Sequence, residues 1–352
     1  MEPESPSPLS DVSSEATPGS AAAPLPLTPE QANPPEPAET RFLRWAVLGG
    51  DGIRAGWSFA IFLVLFLIFT SLAGLAYIAI SGHGHIGGGK PGAVESLTAN
   101  SQIISEGMLV IGLYAAIGVM ALIERRRLTA YYFGGTRRIA HFVWGLLAGF
   151  VALSALVGGL YAGHWLTFGP VALSGAAIYQ NAGLWGIGFL LVALFEEGSF
   201  RCYLLFTFAR GFFSTNLGFW LAALVSSMLF GMVHMTNSGE NAVGLFSAGA
   251  IGFIFCMSIR YTGSAWWAIG FHAAWDWAET FFYGTADSGL VAKGHYLTTN
   301  AAGNALWSGG PVGPEGSLLI LPMTFAIGLG VYLAFEYKPR AVQSAALTPV
   351  AD

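Results

Sequence analysis

The sequence predicts an all-α, polytopic membrane protein: a bundle of about eight transmembrane helices. Three observations carry that reading. Apolar side chains make up 54% of the 352 residues, while Asp, Glu, Lys and Arg together supply only 10%, against about 25% in ordinary globular domains. Mean hydropathy is +0.59. The apolar residues also fall in runs close to the ~20 needed to cross a hydrocarbon core. Such a chain cannot clothe itself in charge in water, so a soluble enzyme is excluded. A net charge of −5 with no basic stripe excludes a nucleic-acid binder as well.

Residues 1–40 come first and differ from the rest. They hold ten of the seventeen prolines and seven acids, with no Lys and no aromatic residue. Such a stretch buries too little apolar surface to offset its ordering entropy, so a disordered cytoplasmic tail is expected. It lacks the basic start of a secretory signal. Residues 41–340 form the expected membrane-embedded helical domain, and 341–352 a short C-terminal tail.

Within that domain the apolar runs are 55–80, 102–123, 139–164, 183–208, 217–235, 242–259, 264–284 and 317–337. Each is expected to be helical, because lipid cannot satisfy open backbone groups. The sixth is short and the seventh is studded with polar residues. With the N-terminus in the cytoplasm, the inner segments hold twelve basic residues: Arg41, Arg44, Arg54, Arg125, Arg126, Arg127, Arg137, Arg138, Arg210, Arg260, Lys338 and Arg340. The outer segments hold only Lys90 and Lys293. This asymmetry puts both termini inside, and the expected location is a bacterial plasma membrane. Gly145 with Gly149, and Gly159 with Gly163, make small-xxx-small pairs on the third run that let helices approach closely. Cys202 and Cys256, both in apolar runs, read as buried small hydrophobes.

Polar residues at membrane depth are costly, about 2.5–3.5 kcal/mol for Asp or Arg at mid-helix, and therefore informative. The fourth run carries Glu196, Glu197 and Arg201; the fifth ends on His234; the seventh carries His272, Asp276 and Glu279. Glu197 and Arg201 are four apart, so they share a helix face and can pair. Glu196 points about 100° away and lacks that partner. His272 and Asp276 share a face, and Phe230 lies one turn from His234. A desolvated carboxylate beside an imidazole suits a general base acting on water, and a second His can steady an oxyanion. The four side chains Glu196, His234, His272 and Asp276 are also candidate ligands for Zn2+. Hydrolysis, ion or proton transport, and a structural polar network are all open to this set.

Three short patterns narrow the choice. EEGSFR (196–201), FGMVH (230–234) and HAAWD (272–276) resemble, in order, the EExxxR, FxxxH and HxxxN/D motifs of the CPBP family. These are the type II CAAX prenyl endopeptidases and bacteriocin-processing-type membrane proteins. The resemblance covers about residues 183–284, including TGSAWW (262–267). It implies that Glu196 activates a water with help from His234. Glu197 would position the site through Arg201, and His272 with Asp276 would stabilise the oxyanion. The active family members commonly have Asn where this chain has Asp276, and an ionised carboxylate cannot donate to an oxyanion; Asp276 would then orient His272 or bind metal. The implied activity is an intramembrane endopeptidase acting on a membrane-associated peptide or protein, CAAX-like and prenylated among the candidates. The rivals are a non-catalytic scaffold or immunity-type protein and a proton-coupled transporter. HExxH, GxSG and GxGD signatures are absent from the spans.

Other features carry less. His83 and His85 in GHGHIGGGKPG are two ligands without a third and read as loop. Arg125–Arg127, Arg137 and Arg138 read as topology and lipid contact. Trp266, Trp267, Trp275 and Trp277 read as packing, and Glu279 is kept outside the core set.

Overall fold

A computed structural model describes residues 38–50, 52–82, 97–212, 216–237, 239–287 and 292–335. The proline-rich stretch up to residue 37, His83 and His85, and the C-terminal tail lie outside these. Contacts divide the chain into two units, 1–45 and 46–352. The first is described only by most of helix α1 (Ala38–Val47), which begins inside the segment expected to be disordered.

The second unit holds the membrane helices. A short hairpin, β1 (Leu48–Gly49) with β2 (Gly52–Ile53), leads into α2 (Ala55–Ser81). Next come α3 (Ala99–Ile123) and α4 (Arg138–Ala162). Then α5 (Ala176–Glu196) runs unbroken through a π-helical segment, Glu197–Leu204, into α6 (Leu205–Phe212). After α7 (Asn216–Val233), α8 (Ala242–Thr262) and α9 (Trp266–Asp276), the chain ends in a four-residue α10 (Ala305–Ser308) and α11 (Ile320–Ala334). β3 (Leu166–Phe168) pairs antiparallel with β4 (Thr299–Ala301), Leu166 opposite Ala301. Helix starts have local causes. Thr98 and Ser101 cap α3 reciprocally, and the Asn241 side chain accepts from the amides of Val243 and Gly244 at the start of α8.

The polytopic helical bundle is thus as expected, but the spans differ. Among the described residues, helices occupy all eight apolar runs and six are long and apolar enough to cross a membrane: 55–81, 99–123, 138–162, 176–212, 216–236 and 242–262. The seventh run is shorter, α9 plus a π turn (Trp277–Phe282), and nine of the eleven α9 residues are buried. Its apolar composition reflects enclosure by protein, the usual state of a short apolar helix. α11, at 15 residues, spans about 22 Å. By contrast only Ser58, Phe62 and Gly74 of α2 are buried, as suits a helix at the lipid boundary.

Glycine sets the closest helix contact. A Cβ at Gly145 would stand 2.2 Å from the Trp267 carbonyl oxygen, and one at Gly149 2.2 Å from that of Phe271. Backbone therefore meets backbone where α4 crosses α9, the helix carrying His272. The second pair behaves differently: Gly159 meets the Leu319 side chain, and Gly163 follows the end of α4.

At the arginine-rich end, Glu124 receives Arg210 at 2.9 Å, Arg126 at 3.5 Å, Ser58 at 2.6 Å and Tyr131 at 3.1 Å. The Arg126 side chain is buried there and lies over the Phe206 ring of α6 at 5.4 Å, a packing contact rather than a lipid one.

Candidate functional site

Both helices that carry the acidic and histidine motifs change geometry at the motif. The π segments begin at Glu197 and at Trp277. A π turn holds an extra residue and swings the side chains around it out of the α register, and such turns recur at functional sites. Here Glu196 and Glu197, about 100° apart on an ideal helix, both converge on one imidazole.

His272 is that hub. Its Nδ1 lies 2.9 Å from Glu197 Oε1; a carboxylate only accepts, so Nδ1 carries the proton and donates. Its Nε2 faces the other way, 3.6 Å from Glu196 Oε2 and 3.4 Å from Asp276 Oδ2. Asp276 thus sits beside the free edge of the ring, while Glu197 orients it. Glu197 also pairs with Arg201 Nη1 at 3.2 Å, both side chains fully buried. The guanidinium lies 3.8 Å over the Phe230 ring, a desolvated cation–π contact. Glu196 differs from its neighbour in retaining 25% side-chain exposure.

His234 enters from the far side. α7 stops at Val233, and His234 opens a 3-10 turn. Its Nδ1 donates to the Phe230 carbonyl at 2.7 Å, which leaves Nε2 as an acceptor. The Phe230 ring centroid lies 4.7 Å from that of His234 and 6.3 Å from that of His272. One aromatic thus spans the two imidazoles, whose depths along straight helices would differ by about 10 Å. Among the described residues no carboxylate lies within ion-pair distance of His234, so its reach to Glu196 runs across the cavity.

That cavity measures about 330 Å³. Glu196, Phe230, His234, His272 and Asp276 line it, whereas Glu197 and Arg201 stand behind the wall. The foreseen set is thereby divided into a facing group and a supporting pair. Leu97 and Asn237, at the start of α3 and just past the end of α7, line the cavity too, so it reaches toward the end of the bundle away from Glu124.

Three further carboxylates line the cavity and went unread in the sequence: Glu106, Asp287 and Glu315. Glu106 carried a signal, since it is an acid inside the second apolar run. Asp287 and Glu315 lie in connecting segments, where an acid is unremarkable. Trp275 lines the cavity and donates through Nε1 to Glu315 at 2.8 Å, so it does more than pack. Thr280 donates to Asp287 Oδ2 at 2.9 Å. Burial, then the nearby Glu315 carboxylate, push Asp287 up to about 7.

The geometry also bears on metal. Glu196, His234, His272 and Asp276 do not bring three ligand atoms within 4.8 Å of one another. Among the described residues the acidic set Glu279, Asp287 and Glu315 does. The residues named for zinc therefore do not fit one as they stand.

Over residues 178–278 the chain matches the family model described as type II CAAX prenyl endopeptidase Rce1-like. The matched stretch runs from α5 to just past α9 and holds all three motifs and the whole His272 hub. Neither a curated protein nor a solved structure gives a match to the chain.

Proposed function

We propose that the chain is an intramembrane endopeptidase of the CAAX-protease kind, hydrolysing a peptide bond in a membrane-associated substrate with a water activated by Glu196. The observation that carries this reading is the division of the two glutamates. Glu197 is sealed behind the cavity with Arg201, while Glu196 faces it and keeps contact with solvent.

The chemistry follows from those positions. Glu196 takes a proton from a cavity water, with the acceptor Nε2 of His234 orienting that water from across the cavity. The oxygen bonds to the scissile carbonyl carbon, and the carbonyl electron pair moves onto its oxygen. His272, held through Nδ1 by Glu197, presents Nε2 to that oxyanion. Glu196 then returns its proton to the leaving nitrogen as the C–N bond breaks. Asp276, 3.4 Å from Nε2, supports the proton that Nε2 must carry, a role suited to a carboxylate where relatives commonly have an amide. No step passes through a metal.

With the arginine-rich segments inside, both termini are cytoplasmic in the plasma membrane proposed as the location. The cavity then lies toward the opposite side of the membrane, and the substrate enters from the bilayer or from that face. A CAAX-like prenylated peptide is one member of the class to test.

The test compares the purified chain with Glu196→Gln in liposomes against membrane peptides, including a farnesylated CAAX peptide, with products read by mass spectrometry. Cleavage by the wild type and its loss in the variant are expected. Undiminished turnover by Glu196→Gln would refute the mechanism, because an amide cannot act as base.

A further inference from the structure

Glu279 has no place in the reaction above, and its surroundings are unusual. It sits in the π turn after α9, is wholly buried, and neither carboxylate oxygen has a hydrogen-bond partner. An ionised carboxylate left so would be strongly unfavourable. It is aimed at two other acids: ligand oxygens of Glu279, Asp287 and Glu315 all lie within 4.8 Å of one another. Neither Glu279 nor Asp287 makes an ion pair with Lys or Arg among the described residues.

The other two carboxylates are held rather than loose. Thr280 fixes one oxygen of Asp287 and Trp275 fixes one oxygen of Glu315. Backbone closes the same place. Gly313 has φ +105°, and a Cβ there would meet the Ala286 carbonyl oxygen at 2.0 Å and Glu279 Oε1 at 3.4 Å. Only a glycine lets the 309–317 segment lie this close to the Ala286 backbone, beside the Glu279 carboxylate.

We propose that Glu279, Asp287 and Glu315 bind a hard divalent cation, calcium foremost, at the wall of the cavity that Asp287 and Glu315 line. All-carboxylate oxygen ligation selects calcium, magnesium or manganese over zinc. Opposite oxygens on a calcium ion, each at roughly 2.3–2.6 Å, stand up to about 5 Å apart, so the observed spacing accommodates one. The ion would tie the π turn after α9 to the segments at 285–287 and 313–316. Asp276 and His272 lie one and two turns before Glu279, so the clamp would hold the end of the helix that presents them. Glu279, Asp287 and Glu315 all lie outside the matched residues 178–278, and the site does not depend on peptidase activity.

The test uses the full-length protein in detergent, stripped with chelator and dialysed. CaCl2, MgCl2 and MnCl2 are titrated separately by calorimetry, with thermal unfolding in parallel. Wild type should bind one calcium and melt at a higher temperature as the ion saturates it. Asp287→Asn and Glu315→Gln should each weaken binding at least tenfold, while Glu240→Gln, an acid outside the set, should bind as wild type does. Thermal unfolding shows which variants are folded, and either of the first two alone suffices. Failure of all three ions to bind at millimolar concentration would overturn the proposal in favour of carboxyls sharing protons. Equal binding by wild type, Asp287→Asn and Glu315→Gln would overturn it too. Binding is read without substrate, so its failure is distinct from failure of the peptidase reading.

Discussion

Gly149→Ala tests whether the α4–α9 contact sets the position of His272. The added Cβ would stand 2.2 Å from the Phe271 carbonyl oxygen, 3.0 Å from its carbon and 3.1 Å from its Cα, where ordinary contact begins at 3.4 Å. These are backbone atoms of a buried helix, so relief requires α9 to withdraw by about 1.2 Å, an overpacking strain of roughly 1–3 kcal/mol. Alanine returns up to ~1 kcal/mol through helix propensity, so net destabilisation should be small, about 0–2 kcal/mol. The larger effect falls on chemistry. His272 follows Phe271 directly, and a misplacement of about 1 Å costs on the order of 10²-fold in rate. Gly158→Ala on the same helix is the control: its Cβ would meet nothing within 4 Å, so it should melt no lower than wild type and cleave normally. Thermal unfolding in detergent and peptide cleavage in liposomes read the two effects. A folded Gly149→Ala enzyme with wild-type turnover would show that α9 is not positioned by this contact.

Arg201→Leu should be far more damaging than its conservative size suggests, about 3–5 kcal/mol, because it strands the buried Glu197 carboxylate. Adding Glu197→Gln should recover part of that loss, and simple additivity in the unfolding data would count against the pair. Asn241→Ala should lower stability by about 1 kcal/mol through the lost cap of α8. It also removes the Asn241 Nδ2 bond to the Gly316 carbonyl, and an unchanged melting temperature would show that neither contact matters. Glu197→Gln alone should lower kcat with little change in KM, because the amide holds His272 less firmly without touching substrate; a change confined to KM would contradict its placement behind the cavity wall.

How much was legible beforehand depends on which physics a residue answers to. Charges in apolar runs are expensive wherever they stand, so Glu196, Glu197, Arg201, His234, His272 and Asp276 announced themselves by composition alone. Glu106 obeyed the same rule and went unread. Asp287 and Glu315 could not be found that way, since acids in connecting segments cost nothing until folding buries them. The enclosure of α9 was not legible either, because burial in protein and burial in lipid ask for the same side chains.

The sequence by itself determined the solvent, the helical class and the identity of the polar hub, because these depend on transfer costs that each residue carries with it. Tertiary structure alone decided that both adjacent glutamates reach the same imidazole, which of its nitrogens is held, and which glycines bring α4 against α9. Those outcomes turn on π turns that displace side chains from the 100° step, and on helix crossings. Neither is encoded in spacing along a single helix. Gly145 and Gly149 press backbone on backbone while the Gly159–Gly163 pair, identical in pattern, does not, because only the first pair lies where another helix passes.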